Sequence, residues 1–191
     1  SQITSNFPAF FKTTAGIAIN AYFFVALPEE IWKFLMLLWY AYRKKEFDEP
    51  FDGIVYAVMV GMGFATVENI SYVSQYGLMT GIMRLFLAVP AHASFAIIMG
   101  YFMGKARFSA QKQRFLLFFG VFWATVFHGS YDFFLFLQES HTTGTDNASL
   151  LLFLGAMVSL VTGIILSKKA IKEHLKLSVL QNTNEYNVED N

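Results

Sequence analysis

Two carboxylates and an ammonium group stand inside a membrane-length apolar run, in the stretch Pro28-Glu29-Glu30-Ile31-Trp32-Lys33. The run covers residues 15–42 and is otherwise almost wholly aromatic and aliphatic. It exceeds the roughly 20 residues a helix needs to cross a bilayer. Ionisable groups inside such a span are costly to keep there. On a helix, Glu29 lies four residues before Lys33 and Glu30 three before it, so both can pair with the lysine. Taken alone, the stretch reads equally as a neutralised packing pair and as part of a functional site.

The rest of the chain has the same character. Of 191 residues, 55% are hydrophobic and only 15% charged, against roughly 25% charged in soluble domains. The apolar residues fall in long blocks, not amphipathic stripes. The fold class expected is all-α, a polytopic transmembrane helical bundle of about five spans plus a C-terminal amphipathic helix. A single transmembrane domain is expected over residues 1–180, and a polar, disordered tail over 181–191. Net charge is zero, so no global field points to nucleic acid. Cysteine is absent, which removes disulfides and thiolate metal sites. The chain begins at Ser1 and lacks a basic segment ahead of a short apolar core, so no cleavable signal peptide is expected, and an upstream span is compatible with the sequence.

In order, residues 1–14 read as an interfacial lead-in. The expected spans are residues 15–42, 53–76, 82–104, 115–137 and 148–166. Pro28 should kink the first span or start its second half. Asp52 reads as the N-cap of the second, and Gly100-x-x-x-Gly104 in the third reads as a helix-packing pair. Residues 77–81 and 138–147 form loops. The Lys-rich segment 168–180 has apolar residues at helical spacing and is expected to lie on the membrane surface. Basic residues at 43–45, 105–114 and 168–176 fall on one side, with Arg84 the only basic residue near the opposite loops. The positive-inside rule then puts the N-terminus outside and the C-terminus in the cytoplasm, in a multi-pass protein of the plasma or inner membrane.

Depth unites the ionisable residues. At about 1.5 Å rise per residue, Glu30, Glu68, His92 and His128 lie roughly 18–24 Å from the basic face. Four side chains on four spans thus reach nearly one level in the outer half of the membrane. His128 and Asp132, four apart on one helix face, suit a carboxylate that orients an imidazole. Glu and His serve as general base and acid, and two histidines with carboxylates hold a divalent metal with a position left for water. Glu30, Glu68, His92 and His128 are the candidate ligands, for zinc or another divalent ion. Neither Ser94 beside His92 nor Ser130 beside His128 is spaced to be a nucleophile. His141 falls in a loop and His174 on the surface segment, outside this group.

The motifs Glu29-Glu30-x-x-Lys33, Asp52-Gly53-Ile54-Val55-Tyr56 and Gly63-Phe64-Ala65-Thr66-Val67-Glu68-Asn69, followed by His92 and by His128-x-x-x-Asp132, resemble the PrsW family of intramembrane proteases. The resemblance covers residues 28–136. It implies a bacterial multi-pass protease that cleaves a membrane-anchored, single-span protein, with an anti-sigma factor as the best-known substrate type. It implies that Glu29 and Glu30 are essential, with Glu68, His92 and His128 in the same site. The chain is more distantly similar to the CAAX-prenyl-protease and bacteriocin-immunity group. Their last motif, His-x-x-x-Asn/Asp, is matched by His128 and Asp132, but Glu68 stands where that group usually has His. On this reading Glu30, with Glu29, activates water, Lys33 holds the glutamates ionised, and Asp132 backs His128. An ion or proton transporter and a catalytically silent scaffold, binding a partner span through Gly100 and Gly104, are the alternatives.

Overall fold

The computed structural model describes residues 9–141 and 147–189, with side chains described over 10–140 and 148–180. The lead-in at 1–8, residues 142–146 of the second polar loop and the last two residues of the tail lie outside the described residues. Every described element is helical. After a 3-10 turn at Ala9–Lys12, α1 (Thr14–Ile19) runs through a π-helical segment (Asn20–Ala26) into α2 (Leu27–Met36), which ends in a second π-helical segment (Leu37–Ala41). Then follow α3 (Pro50–Tyr76), α4 (Leu78–Phe86), α5 (Ala88–Arg107), α6 (Gln113–His141) and α7 (Asn147–Glu189).

Proline governs three of these boundaries. Pro28 stands in the first turn of α2, directly after the π-helical segment, where the Leu27 N–H reaches back five residues to Tyr22 O. The widened turn carries the helix past the missing proline donor. Pro50 opens α3, where its lost N–H costs nothing. The cap of α3 is Glu49, not Asp52. Asp52 sits at the third helical position and accepts the backbone N–H groups of Glu49 (3.0 Å) and Asp48 (3.1 Å), closing a capping box. Pro90 cannot donate to the carbonyl of Phe86 and crowds it. The chain accordingly breaks between Phe86 and Ala88, and α4 meets α5 at a 42° bend. The expected uninterrupted span at 82–104 is therefore a broken one, and the expected loop at 77–81 shrinks to Gly77, whose φ of 87° only glycine adopts without strain.

Among the described residues, two helices are long and apolar enough to cross a membrane, Pro50–Tyr76 and the stretch Ala148–Leu180 of α7. The pair α4 and α5 makes a third if it is one broken span. The surface helix expected at 168–180 is not a separate element. Those residues continue α7, with no Gly or Pro after Gly163 to end it. Ala170, His174 and Ser178 recur every fourth residue and are buried, in a helix that packs on α3 and α5. His174 is fully buried and bonds Pro50 O through Nδ1 (2.8 Å), which corrects its reading as a surface residue. The helix also runs on through residues 181–189, which the sequence reading assigned to a disordered tail.

Helix α5 is the centre of the bundle, packed on α3, α6 and α7. Phe95, Met99 and Met103 are its largest fully buried side chains. Gly100 and Gly104 let α5 approach Gly53 and Pro50 at the start of α3 so closely that a Cβ on any of the three glycines would strike backbone of the other helix. The Gly100/Gly104 face is thus filled by α3 and is not free to receive a partner span.

Candidate active site

The π-helical turns before α2 set its rotation, and α2 directs Glu30 and Lys33 inward, exposed by only 0% and 3%. Lys33 Nζ donates to Glu30 Oε1 (2.6 Å) and to His92 Nδ1 (3.1 Å), and lies 3.6 Å from Glu29 Oε2. It also sits over the Phe64 ring. Because an ammonium only donates, His92 Nδ1 accepts. Nε2 of His92 then carries the proton and donates to Glu68 Oε2 (2.7 Å). On the other side, His128 Nδ1–H donates to Glu30 Oε1 (2.8 Å). The two imidazoles meet edge to face with centroids 5.0 Å apart, and Phe95 stacks on His128. Helices α2, α3, α5 and α6 thus bring together all seven residues singled out from the sequence: Glu29, Glu30, Lys33, Glu68, His92, His128 and Asp132.

The two glutamates differ in placement. Glu29 lines a cavity of about 1120 Å³, together with Glu68, His92, His128 and Asp132, whereas Glu30 and Lys33 lie behind that wall. The cavity reaches the ends of α3, α4 and α6, at Tyr76, Thr80, Glu139 and Ser140. The sequence reading put Glu30 first as the residue that meets water; the structure encloses Glu30 and turns Glu29 to the cavity.

The donor set also fits a cation. His128 Nε2 points at Asp132 Oδ2 (3.2 Å) and Glu29 Oε2 (3.8 Å). With Nδ1–H committed to Glu30, a neutral His128 would direct a lone pair at two carboxylates, which calls for a proton or a metal ion between them. Glu29 Oε2 is buried and accepts no hydrogen bond. Among the described residues, ligand atoms of Glu29, His92 and His128 all lie within 4.8 Å of one another, and His92, whose Nε2–H is held by Glu68, would ligate through Nδ1 only after Lys33 releases it. One carboxylate and two imidazoles are a common catalytic zinc set, and Glu30 behind His128 Nδ1 is placed as the carboxylate that orients a metal-bound imidazole. This set includes Glu29 in place of the expected Glu30 and leaves Glu68 as a partner of His92.

One site residue escaped the sequence reading, which used Arg84 only for orientation. In α4, Arg84 Nη2 donates to Glu68 Oε2 (2.8 Å) and its guanidinium lies 3.7 Å over the Tyr72 ring. Its signal was a lone arginine in an otherwise uncharged helix.

A helical membrane protein with an internal, metal-competent site of carboxylates and imidazoles is the class that fold and geometry define. Residues 2–169 match the sequence profile described as "PrsW family intramembrane metalloprotease", and the chain belongs to that family. Protease PrsW of Geobacillus kaustophilus is 42% identical over 125 residues, 65% of this chain and 56% of that protein. Protease PrsW of Bacillus subtilis is 44% identical over 114 residues, 56% of this chain and 50% of its own. The protein of that name from Clostridioides difficile is 39% identical over 118 residues, 59% and 50% of the two chains. The chain spans about half the length of the curated relatives it matches. No solved structure matches it.

Proposed function

We propose that this protein is an intramembrane endopeptidase that hydrolyses a peptide bond of a membrane-anchored, single-span protein, with the anti-sigma-factor type as the nearest example. The observation that carries the reading is the convergence of Glu29, His92 and His128 on one wall of a large cavity inside an apolar bundle. Glu29, His92 and His128 would hold a divalent ion such as zinc, which when bound supplies Lewis acidity and a more acidic water. Without an ion, Glu29 Oε2, buried and without a hydrogen-bond donor, is the acceptor best placed for a water proton. Glu30 accepts from His128 Nδ1–H and holds the ring plane, with Asp132 beside Nε2. Lys33 neutralises Glu30 from within the wall, and Glu68 fixes the tautomer of His92.

The reading includes five spans in one domain over residues 1–180, with the C-terminus cytoplasmic. Its support is that the basic segments gather at one end: Arg107 donates to Lys44 O (3.4 Å), and Lys105 pairs with Glu173 (2.9 Å). The cavity mouth lies at the other end, which supports cleavage near the external end of a substrate span. The test is Glu29→Gln in purified protein given a labelled single-span peptide. Cleavage should fall by at least about 100-fold, the scale for loss of a general base, with the thermal transition kept. Cleavage at the wild-type rate would refute the assignment, and proton uptake by vesicles without any cleavage would establish the transporter alternative.

A further inference from the structure

Arg84 has a place in the site that neutralising Glu68 does not explain. Glu68 receives the Nε2–H of neutral His92 at 2.7 Å, and Arg84 brings the positive charge. A lysine would supply the same charge as a compact, flexible group, whereas arginine offers five donors in a rigid fork. Here one fork nitrogen serves Glu68, Nε–H is buried away from the cavity, and the 17% of the side chain that stays exposed is the part able to face a peptide. The Tyr72 ring backs the guanidinium plane and holds its orientation. Among the described residues lining the cavity, Arg84 and Lys12 are the only arginine or lysine, and Lys12 belongs to the N-terminal turn.

A peptide about to be cut within a membrane must unwind, and its carbonyl groups then lose their helical partners where no bulk water replaces them. The carboxylates of this site accept and do not donate. Fixed donors in the cavity wall are what the unwound strand lacks. We propose that Arg84 is a substrate-positioning residue, its guanidinium donating to backbone carbonyl oxygens of the peptide in the cavity while Glu68 and Tyr72 hold its plane. This rests on the protease reading above and adds to it the group that grips the substrate backbone.

The experiment measures binding of a fluorescein-labelled synthetic peptide with one apolar span of about 20 residues to the full chain in nanodiscs. All Arg84 variants are made in the cleavage-deficient Glu29→Gln background. Arg84→Gln should raise Kd by about tenfold or more, the scale for losing hydrogen bonds from a charged donor. Arg84→Lys should recover part of the affinity. The double variant Glu68→Gln/Arg84→Gln separates the two roles: it stays weak if Arg84 binds peptide, and returns to the background affinity if Arg84 only neutralises Glu68. Background affinity in the double variant or in Arg84→Gln overturns the inference. If Arg84→Gln loses its thermal transition, Arg84→Lys decides, and an unchanged Kd there overturns it. Absence of saturable binding by the Glu29→Gln background and by the unsubstituted chain counts instead against the protease reading.

Discussion

Replacing Lys33 by Met tests whether the buried charge cluster holds together as a unit. Lys33 is 3% exposed and within 3.6 Å of Glu29, Glu30 and His92. Its closest partner, Glu30, is fully buried and has one oxygen with no hydrogen bond. Removing the ammonium leaves that carboxylate with His128 Nδ1–H as its one remaining donor and no permanent positive charge in contact. Breaking a buried pair from one side costs about 3–5 kcal/mol. At about 2–4 °C per kcal/mol for a chain of this size, the transition should fall by about 6–20 °C. Replacing both partners, Glu30→Gln/Lys33→Met, removes the orphaned charge and should recover at least half of that loss. The assay is thermal unfolding in one detergent, read by tryptophan fluorescence and by aggregation, across the double-mutant cycle. A fall in the double variant equal to the sum of the two single falls would refute the coupling and with it the role given to Lys33.

Two further outcomes follow from the geometry. Elemental analysis of the purified protein should find a near-stoichiometric divalent ion that His128→Ala loses. A metal-free preparation that still cleaves peptide would leave a glutamate-held water as the mechanism. Gly104→Ala would drive a methyl group into Pro50 O and the His174 ring, and should cost about 1–3 kcal/mol in detergent unfolding; unchanged stability would mean that α3 and α5 do not depend on that close approach.

The convergence of the candidate residues was legible because carboxylates, imidazoles and a lysine stand out in apolar runs, and helical rise alone brings Glu30, Glu68, His92 and His128 to one depth. Which glutamate faces the cavity was not legible. Neighbours on a helix point about 100° apart, and the π-helical segment before α2 changes the rotation that a regular count assumes. Arg84 was hidden for a related reason: its distance to Glu68 depends on the bend at Leu87, which comes from Pro90 acting four residues back on Phe86. The burial of His174 was masked by composition. A Lys-rich segment resembles a surface helix until its Ala170–His174–Ser178 stripe is matched to the groove beside Pro50 and Gly104.

The glycine contact between α3 and α5 also dictates where the site can open. It pins the two helices at the end away from the cavity mouth and makes that end a fulcrum. The close packing runs on to Gly61, against Ala96, so the lever is Gly61 to Tyr76, about 22 Å long. Rotation of about 5° at the fulcrum carries its far end about 2 Å, under half of the roughly 4.8 Å between neighbouring strands. Side chains near the pinned end barely move in that swing, while the entrance at Tyr76 and Thr80 widens most. A tilt of this kind would widen the entrance with the glycine packing left intact.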